Sequence, residues 1–147
     1  MSRLLFLDFD GVMNCHEWCN LDDDSPRINR LSAKVLNRVI SEHDFEVVVS
    51  STWARHIGKD MEPSGFSFML RTHGIRARVV GGINGHVTDP RERSANILQY
   101  AGGRADWLSI DDLPLVLPQN RFYRSNATTG LVAHDVHNIR KLVESWA

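Results

Sequence analysis

Residues 4–12 read LLFLDFDGV, four apolar residues followed by two aspartates with one residue between them. A short, unbroken apolar run is typical of a β-strand covered on both faces, as the strands of parallel sheets are. Asp8 and Asp10 are costly to bury without partners, so they mark the end of that strand. The stretch therefore predicts a buried parallel strand with two carboxylates at its carboxyl end.

The rest of the sequence alternates between apolar runs and segments of helical periodicity. Further strands are predicted at 45–49, 76–80 and 107–110, with weaker candidates at 115–117 and 122–123. Apolar residues three and four apart predict helices from Ser25 and Pro26 to about 43, at 64–73, at 94–101 and from about 133 onward. A glycine-rich loop is expected at 81–85. This alternation predicts an α/β fold around a mostly parallel sheet.

The composition is that of one globular domain. Of the 147 residues, 42% are hydrophobic and 24% are charged, which excludes a disordered chain, a collagen and a disulfide scaffold. No apolar run approaches the roughly 18 to 20 residues needed to cross a bilayer. Asp8 and Asp10 interrupt the first apolar run too early for a signal peptide. We therefore expect a single cytoplasmic domain over residues 1–147 with no membrane partner.

The formal net charge of −1 conceals an uneven distribution. Residues 1–24 carry one arginine against six acids, a net of −5, whereas residues 71–124 carry eight arginines against five acids, a net of +3. Arginine forks bind phosphate oxygens in pairs, so the second region is a candidate surface for a nucleic-acid backbone. A coding preference for arginine explains its exposed positions equally well.

Polar residues follow three of the predicted strands. Asp8 and Asp10 follow the first, the hydroxyls of 50–52 follow the second, and Asp111 and Asp112 follow the strand at 107–110. Because the carboxyl ends of parallel strands lie side by side, we expect these groups to converge. Four converging carboxylates repel one another unless a cation neutralises them, and an all-oxygen set favours Mg²⁺.

Four segments together resemble the motifs of the haloacid dehalogenase superfamily. They are LFLDFDGV at 5–12, VVVS at 47–50, Arg93 ahead of SANI at 94–97, and SIDD at 109–112. Arg91 is the alternative to Arg93 as the basic residue of the third motif. The resemblance implies a three-layer α/β/α, Rossmann-like core. A closer resemblance, to the small domains of this type in modular RNA-repair proteins, covers nearly the whole chain. Besides the four motifs, SSTW at 50–53 and TTGL at 128–131 carry it.

The resemblance implies a role for each motif residue. Asp8 would attack phosphorus and form an aspartyl-phosphate, and Asp10 would protonate the leaving oxygen and then activate water. Ser50 would hydrogen-bond the transferring phosphate, and Arg93 would offset its negative charge. Mg²⁺ would be held by Asp8, by the backbone carbonyl of Asp10, and by Asp111 or Asp112. An acid at position 10 favours a phosphatase or phosphotransferase over the carbon–halogen branch.

Other residues near these motifs are candidates for substrate binding. They are Phe9, Ser51, Thr52, Trp53, Arg55 and Arg91. Which hydroxyl of 50–52 faces the phosphate depends on where the strand ends. The superfamily often inserts a cap domain after the first motif or between the second and third. About fifteen residues at 11–25 and about forty at 53–92 leave no room for a large cap, so we expect an open site.

Several other clusters have simpler interpretations. Cys15, His16 and Cys19 form a poor zinc site because no second cysteine pair follows. Residues 22–24, three aspartates, suit a cap or turn. His134 and His137 fit a solvated helix face. Among the tryptophans, Trp107 suits the core, whereas Trp18 and Trp53 are candidates for stacking on nucleobases.

The sequence thus predicts a Mg²⁺-dependent phosphomonoesterase whose substrate is a phosphorylated compound such as a nucleic-acid end or a nucleotide. Two alternatives stay open. One is a nucleic-acid or phosphate-binding module without turnover, although none of the four motifs is degraded. The other is a small-metabolite phosphatase whose site is closed by a dimer partner. Oligomeric state and preference for 3′ or 5′ phosphate are left open by the sequence.

Overall fold

The computed structural model describes residues 2–14, 28–56, 62–83 and 87–146. Within these residues, five strands and four helices alternate as far as β4, and only a 3₁₀ turn separates β4 from β5. The strands are β1 (Arg3–Leu7), β2 (Phe45–Val49), β3 (Val79–Gly82), β4 (Trp107–Asp111) and β5 (Phe122–Arg124). The helices are α1 (Arg30–His43), α2 (Pro63–Thr72), α3 (Pro90–Ala101) and α4 (Ala133–Glu144). Short 3₁₀ turns lie at Thr52–His56 and Gln119–Arg121.

The five strands form one parallel sheet in the order β3-β2-β1-β4-β5. The strand that contains the first apolar run, β1, lies at its centre, with Leu5 opposite Val47 on one side and Leu108 on the other. A central strand is covered on both faces, and Leu5, Phe6 and Leu7 are fully buried. The unbroken apolar run is explained by this position.

Successive β1 residues pack into two different core layers, because side chains alternate across a strand. Leu5 and Leu7 join the larger core beneath α1, α2 and α4. Leu4 and Phe6 join the smaller core, to which α3 contributes Ile97 and Ala101. Helices on both faces of a parallel sheet make the three-layer α/β/α arrangement that the sequence predicts. No helix in the described ranges is long and apolar enough to cross a membrane.

Helix α1 begins later than its periodicity predicts. Asn29 is the N-cap, and its Oδ1 accepts a hydrogen bond from the Leu31 N–H at 2.9 Å. Ile28, the first residue of the apolar stripe, precedes the helix and packs against the core from outside it. Apolar spacing therefore extended the predicted helix beyond its capping residue. Ser25 and Pro26, predicted to start the helix, lie outside the described residues.

The third strand lies two to three residues further along than predicted, at Val79–Gly82 rather than 76–80. Gly81 and Gly82, assigned to a loop from sequence, pair with Val48 and Val49 of β2. A side chain at Gly81 would collide with the hydroxyl of Tyr100, whose oxygen lies 2.6 Å from an ideal Cβ position. Gly81 therefore serves close packing in a strand. The rest of the predicted loop, residues 84 and 85, lies outside the description.

Two further differences concern the second half of the chain. Helix α3 begins at Pro90 rather than 94, with Asp89 as the N-cap that accepts from the Glu92 N–H. Residues 115–117 are not a strand, whereas the weak candidate at 122–123 belongs to β5. The described part of 53–92 consists of a 3₁₀ turn, α2, β3 and the start of α3, all of them parts of the core fold.

Candidate active site

The carboxyl ends of the three central strands are joined by backbone hydrogen bonds just beyond β1. The Asp8 N–H donates to the Ile110 carbonyl of β4 at 3.0 Å, and the Ser50 N–H donates to the Leu7 carbonyl at 2.8 Å. The first, second and fourth motifs therefore meet at one edge of the sheet. This is the convergence expected from parallel strands.

Three carboxylates from two of these motifs form a compact cluster. One oxygen each from Asp8, Asp111 and Asp112 lie within 4.8 Å of one another. Asp8 and Asp111 are buried, and Asp112 is half-buried. The Asp111 carboxylate is held in place by the Leu113 N–H, which donates to Oδ1 at 3.0 Å.

Arg93 brings the third motif into the same cluster. It lies in the first turn of α3 and is buried, and its guanidinium donates to Asp111 Oδ2 at 2.9 Å. The same nitrogen lies 3.6 Å from Asp8 Oδ1. Arg91, the alternative basic residue, is exposed two positions earlier on α3. Of the two arginines, the structure brings Arg93 to the acids.

The acidic cluster is electrostatically unbalanced. Burial and the neighbouring charge of Asp111 raise the pKa of Asp8 to about 10, although Arg93 acts in the opposite direction. Burial also raises the pKa of Asp111, against the lowering effect of Arg93. One guanidinium therefore does not offset three carboxylates in this buried place. A bound cation would supply the missing positive charge.

The donor set fits Mg²⁺, which prefers hard oxygen ligands and is commonly bound through one or two carboxylates. Asp8, Asp111 and Asp112 supply carboxylate oxygens, and neither His nor Cys belongs to the cluster among the described residues. The carboxylate of Asp10 is exposed and lies outside this group. A metal contact through Asp10 would therefore use its backbone carbonyl.

Asn14 orients Asp10, and sequence reasoning missed it. Asn14 Nδ2 donates to Asp10 Oδ1 at 3.1 Å, and Asn14 Oδ1 accepts from the Gly11 N–H at 2.9 Å. Gly11 has a φ of +82°, and an ideal Cβ there would collide with the Asp112 carboxylate. Only glycine allows the loop after β1 to turn this close to the acids.

Ser125 is a second residue that the sequence did not single out. Its N–H donates to the Asp111 carbonyl at 3.0 Å, and its hydroxyl donates to the Gly11 carbonyl at 2.9 Å. Ser125 is buried and follows β5 directly. It therefore links the loop that follows β1 to the end of β4, which are the two segments that carry the acids.

The hydroxyls after β2 differ in their hydrogen bonding. Ser50 Oγ is buried and has no hydrogen-bond partner among the described residues. Ser51 Oγ accepts from the Trp53 N–H at 3.1 Å and so caps the 3₁₀ turn, which begins at the half-buried Thr52. Of the two serines, Ser50 is the one whose hydroxyl makes no hydrogen bond within the described residues, whereas the Ser51 hydroxyl accepts one and keeps its own proton to donate.

Two of the candidate substrate-binding residues, Phe9 and Trp53, stack on each other but differ in how exposed their rings are. The Phe9 ring is fully buried and stacks on Trp53 with ring centroids 4.5 Å apart and planes within 8°. A substrate contact at Phe9 would therefore involve its backbone rather than its ring. Trp53 is only half-buried and covers that stack. The side chain of Arg55 lies outside what the structure describes.

The remaining clusters lie away from the acids or outside the description. Trp107 is buried in the smaller core, as predicted, with its ring edge against Phe6. His134 and His137 are exposed on α4, and no group of three metal-ligating residues in the described ranges includes them. Cys15, His16, Trp18, Cys19 and residues 22–24 fall outside the described part of the chain.

The pH dependence of stability is expected to reveal the unbalanced acids. In metal-free protein the unfolded Asp8 ionises at its ordinary pKa, whereas the folded residue ionises near 10. Because the folded pKa is raised, the free energy of unfolding should fall as pH rises between these two values. At pH 8 we expect Asp8→Asn to unfold with a free energy at least about 2 kcal/mol higher than wild type.

Denaturant titrations at pH 5 and pH 8, with and without Mg²⁺, measure this effect. Mg²⁺ should stabilise wild type at pH 8 and leave Asp8→Asn less affected, since a ligand that binds only the folded state stabilises it. Asp44→Asn, an exposed aspartate after α1, is the matched control. Equal pH dependence in wild type and Asp8→Asn would contradict the electrostatic account.

The comparisons with known proteins agree with this geometry. The family model described as the HAD domain in Swiss Army Knife RNA repair proteins matches residues 4–136. Neither the comparison with curated proteins nor that with solved structures gives a significant match. The matched range includes all of the sheet except Arg3, the first residue of β1, and it includes every candidate site residue. On this match, the chain belongs to the haloacid-dehalogenase (HAD) domains of Swiss Army Knife RNA repair proteins.

Proposed function

We propose that the protein is a Mg²⁺-dependent phosphomonoesterase that acts through an aspartyl-phosphate on Asp8. The observation that carries the proposal is the arrangement around Asp8. Two further carboxylates and the Arg93 guanidinium lie beside it, and Ser50, whose hydroxyl has no partner among the described residues, directly follows the neighbouring strand. A candidate nucleophile, a candidate cation site and a hydrogen-bond donor for a phosphate oxygen thus lie together at one edge of the sheet.

In the first step an Asp8 oxygen bonds to phosphorus while the bond from phosphorus to the leaving oxygen breaks. Asp10 gives its proton to that oxygen, and an alcohol leaves. In the second step Asp10 takes a proton from water, whose oxygen bonds to phosphorus and releases Asp8 and inorganic phosphate. Asp10 suits this role because its carboxylate is exposed and is oriented by Asn14.

The remaining groups stabilise charge. Bound Mg²⁺ would neutralise phosphoryl oxygens and keep Asp8 ionised at neutral pH. Ser50 donates its hydroxyl proton to a phosphoryl oxygen, since this hydroxyl has no hydrogen-bond partner in the described part of the chain. Arg93 offsets the negative charge on Asp8 as phosphate approaches, while its bond to Asp111 fixes its position.

The substrate class that we favour is a phosphorylated nucleic-acid end. The family is described by its occurrence in RNA repair proteins, and Trp53 presents a half-buried ring beside the second motif. Aromatic rings stack on bases of any sequence, so such a ring suits an end-processing enzyme without sequence preference.

A substrate panel with a metal titration tests the proposal. We expect hydrolysis of an aryl phosphate and of 3′- or 5′-phosphorylated oligonucleotides with Mg²⁺, and none with excess chelator. Sugar phosphates and free nucleotides serve as the comparison. Hydrolysis of sugar phosphates by a dimer, with no activity on oligonucleotides, would favour a metabolite phosphatase. Oligonucleotide binding without turnover under any metal would overturn the assigned reaction.

Ser50→Ala should separate catalysis from stability. Removing one donor to the transition state typically costs roughly 10²-fold in rate, so we expect kcat/KM to fall by about that factor. The free energy of unfolding should not fall, because no described partner loses a hydrogen bond and a buried hydroxyl without a described partner is removed. Steady-state kinetics and a denaturant titration measure the two quantities.

Ser51→Ala is the matched control. It removes the acceptor of the Trp53 N–H and should lower the free energy of unfolding by about 1 kcal/mol, with a smaller loss of kcat/KM than Ser50→Ala. A larger rate loss in Ser51→Ala would assign the phosphate-binding hydroxyl to Ser51 instead.

A further inference from the structure

A groove lined by three arginines runs along the outer edge of the sheet, between α2 and β3. We call it the arginine groove. Its polar lining comprises Asn37, Ser64, Ser67, Arg71, Arg76 and Arg78. Its volume of about 1320 Å³ exceeds the roughly 300 to 1,000 Å³ of typical small-molecule pockets. The size favours an extended ligand over a small metabolite.

Alternation in the approach to β3 places two of the arginines on the surface. Ile75, Ala77 and Val79 are buried, while Arg76 and Arg78 between them are exposed. This period of two is that of extended backbone, so both guanidinium groups project to the same side. Arg71, in the last turn of α2, is exposed on the opposite wall of the groove.

The groove carries a positive charge. None of its described lining residues is acidic. Arg78 lies 3.5 Å from Glu46, but its side chain is 80% exposed, so this contact is a loose surface pair of small energy. Three exposed guanidinium groups along one groove are suited to successive phosphates of a polyanion.

Other arginines of the same region have structural contacts instead. Arg93 donates a hydrogen bond to the carboxylate of Asp111, and Arg124 donates to the Asp112 carbonyl at 3.0 Å. Arg104 donates to the Ser2 carbonyl at 2.7 Å, and Arg121 lies over the Trp146 ring. Apart from Arg91, which is exposed on α3, the arginines of 71–124 thus separate into four with structural contacts and three at the groove.

An exposed aromatic ring lies on the same helix face. Phe68 is 67% exposed, four residues after Ser64 and three before Arg71. Residues at these spacings are neighbours on a helix surface. An exposed phenylalanine gains nothing from folding, but beside guanidinium groups it offers a platform on which a base can stack. This combination distinguishes a nucleic acid from an acidic protein segment as the occupant.

One end of the arginine groove, at Ser64 near the start of α2, lies toward the edge of the sheet where the acids are. Helix α2 follows β2 and precedes the parallel β3, so it runs antiparallel to both and begins at the carboxyl edge. Its Phe66 ring lies 6.0 Å from the ring of Phe9, the residue after Asp8. From there the ten residues of α2 extend about 15 Å away from the site.

We propose that the arginine groove binds single-stranded nucleic acid, with phosphates on Arg71, Arg76 and Arg78 and a base stacked on Phe68. The bound strand runs along α2 toward the carboxyl edge of the sheet. That its terminal phosphate then reaches Asp8 rests on the proposed function, whereas binding in the groove does not.

Fluorescence anisotropy with unphosphorylated, labelled strands of about twelve nucleotides tests the groove alone. The variant Arg71→Gln/Arg76→Gln/Arg78→Gln removes its three charges. The matched control Arg38→Gln/Arg104→Gln/Lys141→Gln removes three exposed charges elsewhere. Thermal melting checks that each variant folds. Because the strands carry no terminal phosphate, the result is independent of whether wild type hydrolyses an aryl phosphate.

We expect the groove variant to bind at least about tenfold more weakly than wild type, and the control to bind within about twofold. The slope of log K against log salt should shrink by about 2, since each single-strand phosphate contact contributes about 0.7. Phe68→Ala keeps every charge and should weaken binding roughly 5- to 100-fold. Binding of either RNA or DNA strands supports the proposal.

Three outcomes overturn it. The first is equal affinity in the groove variant and the charge-matched control. The second is competition by polyglutamate at equal charge together with an unchanged Phe68→Ala variant, which assigns the groove to acidic proteins. The third is tighter binding of a blunt duplex than of either single strand.

Discussion

Asp8→Asn is expected to lower kcat/KM for phosphomonoester hydrolysis by roughly 10⁴-fold or more, the scale of loss seen when a covalent nucleophile is removed. An amide matches the carboxylate in size but cannot form the aspartyl-phosphate. It also replaces one of the three clustered carboxylates with a neutral amide, a weaker ligand for a cation. Initial rates on an aryl phosphate with saturating Mg²⁺ measure the effect.

The stability measurement makes this result interpretable. At pH 8, Asp8→Asn should be at least as stable as metal-free wild type, because a neutral side chain avoids both the burial of a charge and the repulsion by Asp111 that raise the pKa of Asp8. Lost activity in a well-folded variant then reports on chemistry rather than on unfolding. Asp8→Asn with full activity would show that another group attacks phosphorus.

Arg93→Met should have the second-largest effect. It removes the cation that contacts both Asp111 and Asp8 and leaves buried carboxylates without compensation. Breaking a buried ion pair typically costs about 3–5 kcal/mol, so we expect a loss of that order in the metal-free free energy of unfolding. With Mg²⁺ present, kcat/KM should fall roughly 10²- to 10³-fold.

Two matched substitutions separate charge from position. Arg93→Lys retains the positive charge and should recover most of the lost stability and activity, although its single ammonium cannot keep every guanidinium contact. Arg91→Gln removes an exposed charge from the same turn of α3 and should lower kcat/KM less than tenfold. An Arg91→Gln loss equal to that of Arg93→Met would contradict the assignment of the third motif.

The sheet was predictable because each strand's pattern reflects its position. The unbroken run 4–7 belongs to the central strand, which has the strongest signal. Edge strand β3 was misplaced because Gly81 and Gly82 are typical of loops. Their place in the sheet depends on pairing with β2 and on Tyr100 packing against Gly81. Such contacts come from distant parts of the chain, so local pattern cannot reveal them.

The residues of the candidate site likewise fall into two groups, those that the sequence could locate and those that only the fold reveals. Residues at or directly after the ends of strands, such as Asp8, Ser50 and Asp111, could be located by motif and topology. Asn14 and Ser125 could not, since their roles depend on hydrogen bonds to loops rather than on residue type. Ser125 contacts Gly11 across 114 positions of sequence. Phe9 was expected to bind substrate, but its ring is buried under Trp53, a stack that only the folded chain reveals.

Direct detection of the covalent intermediate tests the central claim. Asp10→Asn lacks the base for the second step, so phosphate should accumulate on the enzyme when an aryl phosphate with a good leaving group is used. After acid quenching, mass spectrometry of the peptide that contains residues 4–12 locates the phosphate. We predict phosphate on Asp8, with none on Asp8→Asn/Asp10→Asn. Turnover by wild type with no phosphorylated peptide, or with phosphate on another residue, would contradict the account.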